Sequence, residues 1–585
     1  MRGLTYLRRA FVISPLYTLV FVLSWFGLGV SPIPFLPLFN LPLIFLLVRT
    51  SPLDINLWLF VTIALGATFA YKEPTNSPMG SSNFDNTIVL LLIGSLISFF
   101  TMLPMVTSKF VIKYANRKVG FFNKNYTFKL FIFPVIWTLT WSSFRRWFPI
   151  VSVGSWGDWA YTINNAGYSG DSIMQITSIG GLSAVNFILA LMSQVAVDFL
   201  IYRHGMNNVH KRIGNLIDEE APLIPNNVNR DRNHIIEKQF FQNYYLRLFL
   251  VFGGLALLIW GNTRLYDIED NSDPIKTIKV GCVLPTKGAD MKSMIHQSAI
   301  LATQSSKIVL WGESALDLRR EELEMLLELA SEETKKHKYF LGLTYFMPSE
   351  RSDKKKNMFT LIGPDGEKIF DYQKTHPVPL AESRTVESGP GGQLPIANIA
   401  MPKQKNQTQL SLNVSAAICL DMDFPELINT ASPVNLFLQP AQTWRSHIGL
   451  QHLRMASVRA IENGFWVLRC DGGGASGLID PLGRIRNVQV SSRADRYQLL
   501  NWDLPLSDEK IHTVYASWGE YTVWGGLFVL FLSKLCKPLI WKNGPIFMEE
   551  EWQKGVEMWT NAKGWIDRKY EDTFRHVEHE EYLDV

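Results

Sequence analysis

The chain carries little charge and no strong excess of either sign. Only 19% of its 585 residues are Asp, Glu, Lys or Arg, against roughly 25% in an ordinary soluble domain. This shortage points towards a lipid environment. The 57 basic and 53 acidic residues leave a net charge of +4, so the basic surface of a nucleic-acid-binding protein is absent and no nucleic-acid partner is expected.

Cysteine is also scarce. The whole chain has four cysteines, none in a CxxC pair: Cys282, Cys419, Cys470 and Cys536. They are too few and too scattered for a disulfide framework or a four-thiolate zinc site, so we expect no metal and no cofactor. Their number and spacing do not indicate the redox compartment of the protein.

Long apolar runs are abundant. Several reach the roughly 17 to 25 residues that cross a bilayer, and they lack the periodic polar residues of an amphipathic soluble helix. We therefore predict a membrane domain over 1–262 with seven spans and a C-terminal anchor over 520–541, about eight spans in all. The runs cover 10–30, 33–48, 55–71, 87–107, 130–144, 179–197, 248–260 and 521–532.

Loop charge predicts the orientation of these spans. Lys and Arg cluster before the first run, between the fourth and fifth, and after the sixth, and such loops are typically cytoplasmic. Arg145 and Arg146, after the fifth run, oppose the rule. With seven spans, the polar segment 263–519 is predicted to be extracytoplasmic, in a periplasm, the exterior or an organelle lumen. Segment 204–242 is predicted as a cytoplasmic loop and 542–585 as an acidic cytoplasmic tail.

The segment 263–519 has a different pattern. Short apolar runs alternate with helical ones, in the order β, α, β, α, β, and two hairpins follow with Pro-Asp-Gly and Pro-Leu-Gly turns. This pattern predicts a mixed sheet layered with helices.

Three reactive residues follow predicted strands in this segment: Glu313, Lys374 and Cys419. Alone, each has an ordinary structural explanation. Together they suit covalent acyl transfer, in which a thiolate attacks an acyl carbon, a carboxylate takes the thiol proton and an ammonium stabilises the oxyanion.

The sequence around each of these residues resembles that of a known family. WGESA at 311–315, YQKTHPVPLAE at 372–382 and ICLDMDFPE at 418–426 are similar to the Glu, Lys and Cys motifs of the nitrilase, or carbon-nitrogen hydrolase, superfamily. With seven apolar runs ahead and one behind, the chain resembles the apolipoprotein N-acyltransferases, which move an acyl chain from phospholipid to the N-terminal amine of a lipoprotein. The resemblance implies a nitrilase-type αββα sandwich as the catalytic domain over 263–519.

The resemblance also implies roles. Glu313 would be the general base, Lys374 the oxyanion stabiliser, and Cys419 the nucleophile that holds the acyl group as a thioester. Glu382 stands where the family has a second carboxylate that orients the lysine. Asp421 stands where the family has a glutamate. Two further departures are Gly312 in place of the usual proline and the segment 435–444, which lacks an expected Asn-Asp pair.

The leading hypothesis is a multipass membrane N-acyltransferase with phospholipid as acyl donor and an amine acceptor such as a lipoprotein N-terminus. A membrane-anchored amidase that uses water as acceptor would need the same trio. A catalytically silent scaffold is a third hypothesis, which the retention of all three reactive residues argues against. Asn406 and Asn413 begin Asn-x-Ser/Thr sequences and are potential glycan acceptors if the source is eukaryotic and secretory.

Overall fold

The structure is a computed structural model. It describes residues 2–72, 83–118, 126–147, 153–167, 169–217, 251–266, 276–286, 288–379, 381–401, 410–491, 496–506 and 511–529. The chain divides into two compact units, Met1–Thr522 and Val523–Val585.

Each apolar run predicted as a span contains a helix in its described part. The helices are α1 (Arg2–Gly27), α2 (Pro37–Thr50), α3 (Leu53–Ala70), α4 (Asn83–Lys118), α5 (Tyr126–Trp147), α6 (Thr177–Ile217), α7 (251–266) and a helix over 521–529. Among the described residues, two stretches are long and apolar enough to cross a membrane, Thr87–Tyr114 and Met174–Ile201. The count of eight spans therefore stays a prediction.

The predicted loop over 204–242 is wrong in its first part. Helix α6 continues to Ile217, and Met206, Val209 and Ile213 recur there at helical spacing. The polar residues between these three positions led to the prediction of a loop. The remainder of that loop and the acidic tail lie outside the described residues.

The polar segment forms two mixed β-sheets. The first has the order β13-β1-β2-β4-β5-β6, with β3 on β4, and the second has the order β12-β11-β10-β9-β8-β7. Both predicted hairpins are confirmed, as β5–β6 and β11–β12. The strands are β1 (Lys276–Leu284), β2 (Ser306–Trp311), β3 (Leu316–Asp317), β4 (Phe340–Pro348), β5 (Lys355–Ile362), β6 (Lys368–Gln373), β7 (Ile396–Ala400), β8 (Ser411–Ala416), β9 (Leu436–Ala441), β10 (Trp466–Asp471), β11 (Ala475–Ile479), β12 (Ile485–Val490) and β13 (Gln498–Leu506).

Side chains of β2 show how the layers stack. Ile308 and Leu310 pack in the core between the two sheets, while Val309 and Trp311 pack against the helices outside. Burial on both faces explains why this parallel strand is almost wholly apolar. The layers form the predicted αββα sandwich. Its helices are α8 (Met291–Thr303), α9 (Glu322–His337), α10 (Pro425–Asn429), α11 (Ser446–Asn463) and α12 (Val514–Trp518).

Helix α11 joins the sandwich to the helices of the first half. Leu453 and Ala456 belong to the core between the sheets and their helix. Met455 and Val458, on its other side, pack in the cluster that contains Trp137 of α5. The sandwich therefore rests directly on the apolar helices through one shared, buried helix.

Arg145 and Arg146 are paired with carboxylates. Arg145 is buried and hydrogen-bonds Asp158 and Glu520, while Arg146 Nε lies 2.7 Å from Glu426 Oε1. These partners offset the charge of both arginines within the fold. Their conflict with the loop-charge rule therefore has a structural cause.

A disulfide joins Cys282 of β1 to Cys470 of β10 and so links the two sheets. This bond was not predicted from the sequence, because its two cysteines lie 188 residues apart. Both cysteines are fully buried in the inter-sheet core. Disulfides persist mainly in oxidising compartments.

We expect loss of this disulfide to destabilise the sandwich by about 3–5 kcal/mol, because it closes a very long loop in the unfolded chain. Cys282→Ala, Cys470→Ala and the double variant should lower the midpoint of thermal unfolding in detergent by similar amounts, since each removes the same bond. Reduction of the parent protein should give a similar decrease. A double variant as stable as the parent would contradict the expectation.

Candidate active site

Glu313 follows the carboxyl end of β2, in a turn anchored to the second sheet. Its backbone N–H donates to the carbonyl oxygen of Ala441 at 3.2 Å, and its side chain is buried. Oε1 accepts hydrogen bonds from Asn357 Nδ2 at 2.9 Å and Lys374 Nζ at 2.7 Å. Oε2 is buried and accepts no hydrogen bond from the part of the chain that the structure describes, which leaves this oxygen able to accept a proton.

Lys374 directly follows the β6 arm of the hairpin and is completely buried. Its Nζ donates to Glu313 Oε1 at 2.7 Å and to Glu382 Oε2 at 2.6 Å. Glu382 Oε2 also accepts from the backbone N–H of Val378 at 2.9 Å, so the second carboxylate is fixed in place. Two carboxylates thus hold one ammonium away from water.

Cys419 opens a short 3₁₀ helix, Cys419–Asp423, just after β8. It is buried and is the free cysteine of the described residues. Its φ is +48°, a left-handed conformation that residues other than glycine rarely adopt. Its charged surroundings are Glu313, Lys374, Arg469 and Glu382.

The charges and burial around Cys419 set the protonation states of the trio. Burial and the nearby Glu313 carboxylate raise the pKa of Cys419 well above its usual value, although Lys374 opposes the rise. Burial likewise raises the pKa of Glu313, with Lys374 lowering it in part. Burial alone would lower the pKa of Lys374, but Glu313 and Glu382 hold it well above its usual value. The resting trio is therefore a neutral thiol beside a proton acceptor and a permanent cation.

The raised pKa of Glu313 predicts the pH dependence of Cys419 acylation. A general base must be ionised, so the rate should fall as pH drops through the Glu313 pKa, above the usual carboxyl value of about 4.3. Glu382 contributes to raising the Glu313 pKa, so Glu382→Gln should move this acidic limb to lower pH. Stopped-flow acylation across a pH series measures both; an unshifted limb in Glu382→Gln would contradict the argument.

Asp421 ties the 3₁₀ turn Cys419–Asp423 to the end of β6, next to Lys374. Its carboxylate accepts from the Tyr372 hydroxyl at 2.8 Å, from the His376 backbone N–H at 2.7 Å and from His376 Nδ1 at 2.9 Å. The His376 ring stacks on Phe424 with centroids 3.5 Å apart. Asp421 is completely buried, so it is positioned to hold the turn and not to react.

The structure brings Glu313, Lys374 and Glu382 into direct contact, with Cys419 beside them and Asp421 supporting the turn. Sequence reasoning assigned no role to Asn357, which hydrogen-bonds Glu313 from within β5. Two lysines precede it in the β5 sequence KKNMFTLI, so nothing in the local sequence marked this amide as a buried partner of Glu313.

The remaining sequence-based predictions concern the loops around the site. A side chain at Gly312 would press on Pro285 Cδ at 3.2 Å, so the residue that replaces the family's proline sits in a tight turn. In 435–444, Gln439 is buried. Asn413 lies on β8, and its Oδ1 accepts from Asn398 Nδ2 at 2.7 Å, whereas Asn406 lies outside the described residues. No group of three or more His, Cys, Asp and Glu within the described ranges could hold a metal ion.

Comparison with known proteins identifies the class of the sandwich. Residues 292–498 match the carbon-nitrogen hydrolase family, and this range contains all five candidate site residues. The amidase from Nesterenkonia sp. is 18% identical, with a TM-score of 0.32, and the match covers 39% of this chain and 90% of that one.

The relatives found by sequence similarity are apolipoprotein N-acyltransferases. The protein of Rickettsia bellii is 23% identical over 465 residues, which cover 74% of this chain and 80% of the relative. The protein of Pseudomonas aeruginosa is 26% identical over 202 residues, 33% of this chain and 40% of the relative. Residues 292–498 are thus similar to the carbon-nitrogen hydrolase family, and the chain is similar to apolipoprotein N-acyltransferases, as the motifs predicted.

Proposed function

We propose that this protein is a membrane N-acyltransferase that moves an acyl chain from a phospholipid, through a thioester on Cys419, to an amine acceptor such as a lipoprotein N-terminus. Its membrane domain comprises 1–262, its catalytic domain 263–519, its last anchor 520–541 and its tail 542–585. The catalytic trio is Glu313, Lys374 and Cys419.

In the first half-reaction, Glu313 takes the proton of the Cys419 thiol, and the sulfur attacks the ester carbonyl carbon of the phospholipid. A carbon–sulfur bond forms, and the carbonyl oxygen becomes an oxyanion that the Lys374 ammonium stabilises. The oxyanion then collapses and the carbon–oxygen bond breaks. The leaving alkoxide takes the proton from Glu313, which yields the acyl thioester and a lysophospholipid.

In the second half-reaction, an unprotonated amine attacks the thioester carbonyl carbon. A carbon–nitrogen bond forms, Lys374 again stabilises the oxyanion, and Glu313 takes a proton from the attacking nitrogen. The carbon–sulfur bond breaks, and the leaving thiolate receives that proton. The products are an amide and the free Cys419 thiol.

One observation supports phospholipid as the acyl donor. The 3₁₀ helix Cys419–Asp423, called the nucleophile turn below, touches a loop of the helical half. Both the N–H and the hydroxyl of Ser155, between α5 and α6, donate to the carbonyl oxygen of Asp423, at 2.9 and 2.8 Å. A thiol this close to membrane helices can receive an acyl chain without moving it through water, where each CH₂ costs about 0.8 kcal/mol.

The test is to incubate purified protein with phospholipid labelled in its acyl chain and a peptide with a free N-terminal amine. N-acyl transfer puts the label on the peptide. The amidase hypothesis predicts free fatty acid at the same rate with or without peptide, and that result would overturn the proposal.

We further propose that the catalytic domain faces away from the cytoplasm. Loop charge and the parity of seven spans support this side, and so does the buried disulfide between Cys282 and Cys470, since cytosolic disulfides are rare. The pairing of Arg145 and Arg146 with carboxylates removes the main objection.

A membrane-impermeant thiol label on sealed vesicles of known orientation tests the topology. Val488 is exposed on β12, so Val488→Cys should react only from the non-cytoplasmic side, whereas a cysteine introduced at position 225 should react only from the cytoplasmic side. Both variants carry Cys536→Ser to remove background labelling. Equal labelling of both positions from one side would mean that the span count is wrong.

A further inference from the structure

The conformation of Cys419 must be held in place by its neighbours. Its φ of +48° belongs to a region that is unfavourable for a residue other than glycine and persists only where the surroundings enforce it. The catalytic domain supplies one restraint, through Asp421 and the backbone of His376. That restraint acts on the middle of the 3₁₀ helix, and its far end, at Asp423, is held by other residues.

The far end is held by Gly154, Ser155 and Trp156 of the helical half, which we call the brace. The Ser155 hydroxyl is buried and shared between the carbonyl oxygen of Asp423, at 2.8 Å, and the Tyr161 hydroxyl, at 3.0 Å. The fit is close at Gly154, whose φ is +60° and where an added Cβ would lie 2.3 Å from that same carbonyl oxygen. The brace therefore touches the nucleophile turn at the backbone.

The brace also bonds α11 beside Asp423. Trp156 Nε1 donates to His452 Nε2 at 2.5 Å, and Asp423 Oδ2 lies 3.0 Å from that same nitrogen, with no hydrogen-bond partner among the described residues. On its other side His452 Nδ1 faces Arg469 Nη2 at 3.4 Å, and Arg469 is one of the charges around Cys419. All of these side chains except Trp156, which is half-buried, are fully buried, so the contacts are shielded from water.

We propose that Ser155 and Trp156 are positioning residues of the helical half, which hold the nucleophile turn so that Cys419 faces Glu313 and Lys374. The inference rests on the proposed function only in taking Cys419 as the nucleophile. The Ser155 hydroxyl hydrogen-bonds Asp423 and Tyr161, so it contributes to the geometry of the thiol and not to binding of a lipid.

The variants are Ser155→Ala and Trp156→Phe, each of which removes one hydrogen-bond donor. Matched controls are Ser193→Ala, whose hydroxyl bonds only its own helix at Leu189, and Trp137→Phe, whose Nε1 bonds Asn186. Both control residues are buried in the helical half, and neither bonds the nucleophile turn. Two independent variants keep the test valid if one of them fails to fold.

Acylation of Cys419 is measured with two donors, a small water-soluble p-nitrophenyl ester and phospholipid. We expect the maximal burst rate to fall about 10- to 100-fold in each brace variant with both donors, since small displacements of a reacting group have effects of this size. The ester concentration for half-maximal rate should stay at the parent value, and the controls should match the parent.

Two results would overturn the inference: parent-like burst rates with both donors, or a loss confined to phospholipid, which would make the loop a lipid-binding element. Failure of the proposed function would look different. It would appear in the parent chain, as no thioester on Cys419 with either donor.

Discussion

Cys419→Ala should abolish acyl loading, with a loss of about 10³-fold or more in acyl transfer, because no other group in the trio can form the thioester. The substitution is small and the site is buried, so folding and membrane insertion should be retained. Intact-mass spectrometry of protein exposed to phospholipid measures the loading directly.

The control for this loss is Cys536→Ala, which removes a cysteine far along the chain from the motifs and should leave loading unchanged. Cys282 and Cys470 are joined to each other and are not available as nucleophiles. Acyl groups found on any cysteine other than Cys419 would overturn the assignment.

Glu313→Gln and Lys374→Met should each reduce acyl transfer by about 10²- to 10³-fold. The first removes the proton acceptor and the second removes the cation beside the oxyanion, and losses of this order are typical of a general base or an oxyanion donor. Single-turnover acylation with phospholipid measures both. Each change disrupts a buried ion pair, so the thermal unfolding midpoint of each variant is compared with that of the parent.

Glu382→Gln serves as the graded comparison. Glu382 holds Lys374 at 2.6 Å but is partly exposed, so the loss in Glu382→Gln should be smaller than that in Glu313→Gln. If Glu382→Gln were the more damaging change, the roles of the two carboxylates would have to be exchanged.

Local sequence was sufficient for much of the sandwich. The run KIVLW predicted β2 because a strand buried on both faces must be apolar throughout, and the Pro-Asp-Gly turn predicted the β5–β6 hairpin. The start of α11 was harder. It begins at Ser446 and includes Gly449, a poor helix former. A Cβ on Gly449 would lie 2.4 Å from the backbone N of Ala475, so packing and not helix propensity selects glycine there.

For the site, the motifs identified residues whose chemistry is visible in their own type. They did not reveal Asn357, the Tyr372–Asp421 hydrogen bond or the Cys282–Cys470 bond, because each depends on partners many residues away in sequence. The contact of Ser155 with Asp423 joins positions 268 apart. Only the fold brings such pairs together, so no local pattern could have predicted them.

A single-turnover pulse and chase tests the central claim most directly. Protein is loaded with acyl-labelled phospholipid, freed from unreacted lipid, and divided between a peptide with a free N-terminal amine, the same peptide with its amine acetylated, and buffer. The account predicts label on Cys419 after loading, then transfer to the free-amine peptide alone, with the thioester persisting in the other two samples. Equally rapid release of free fatty acid in all three would contradict it.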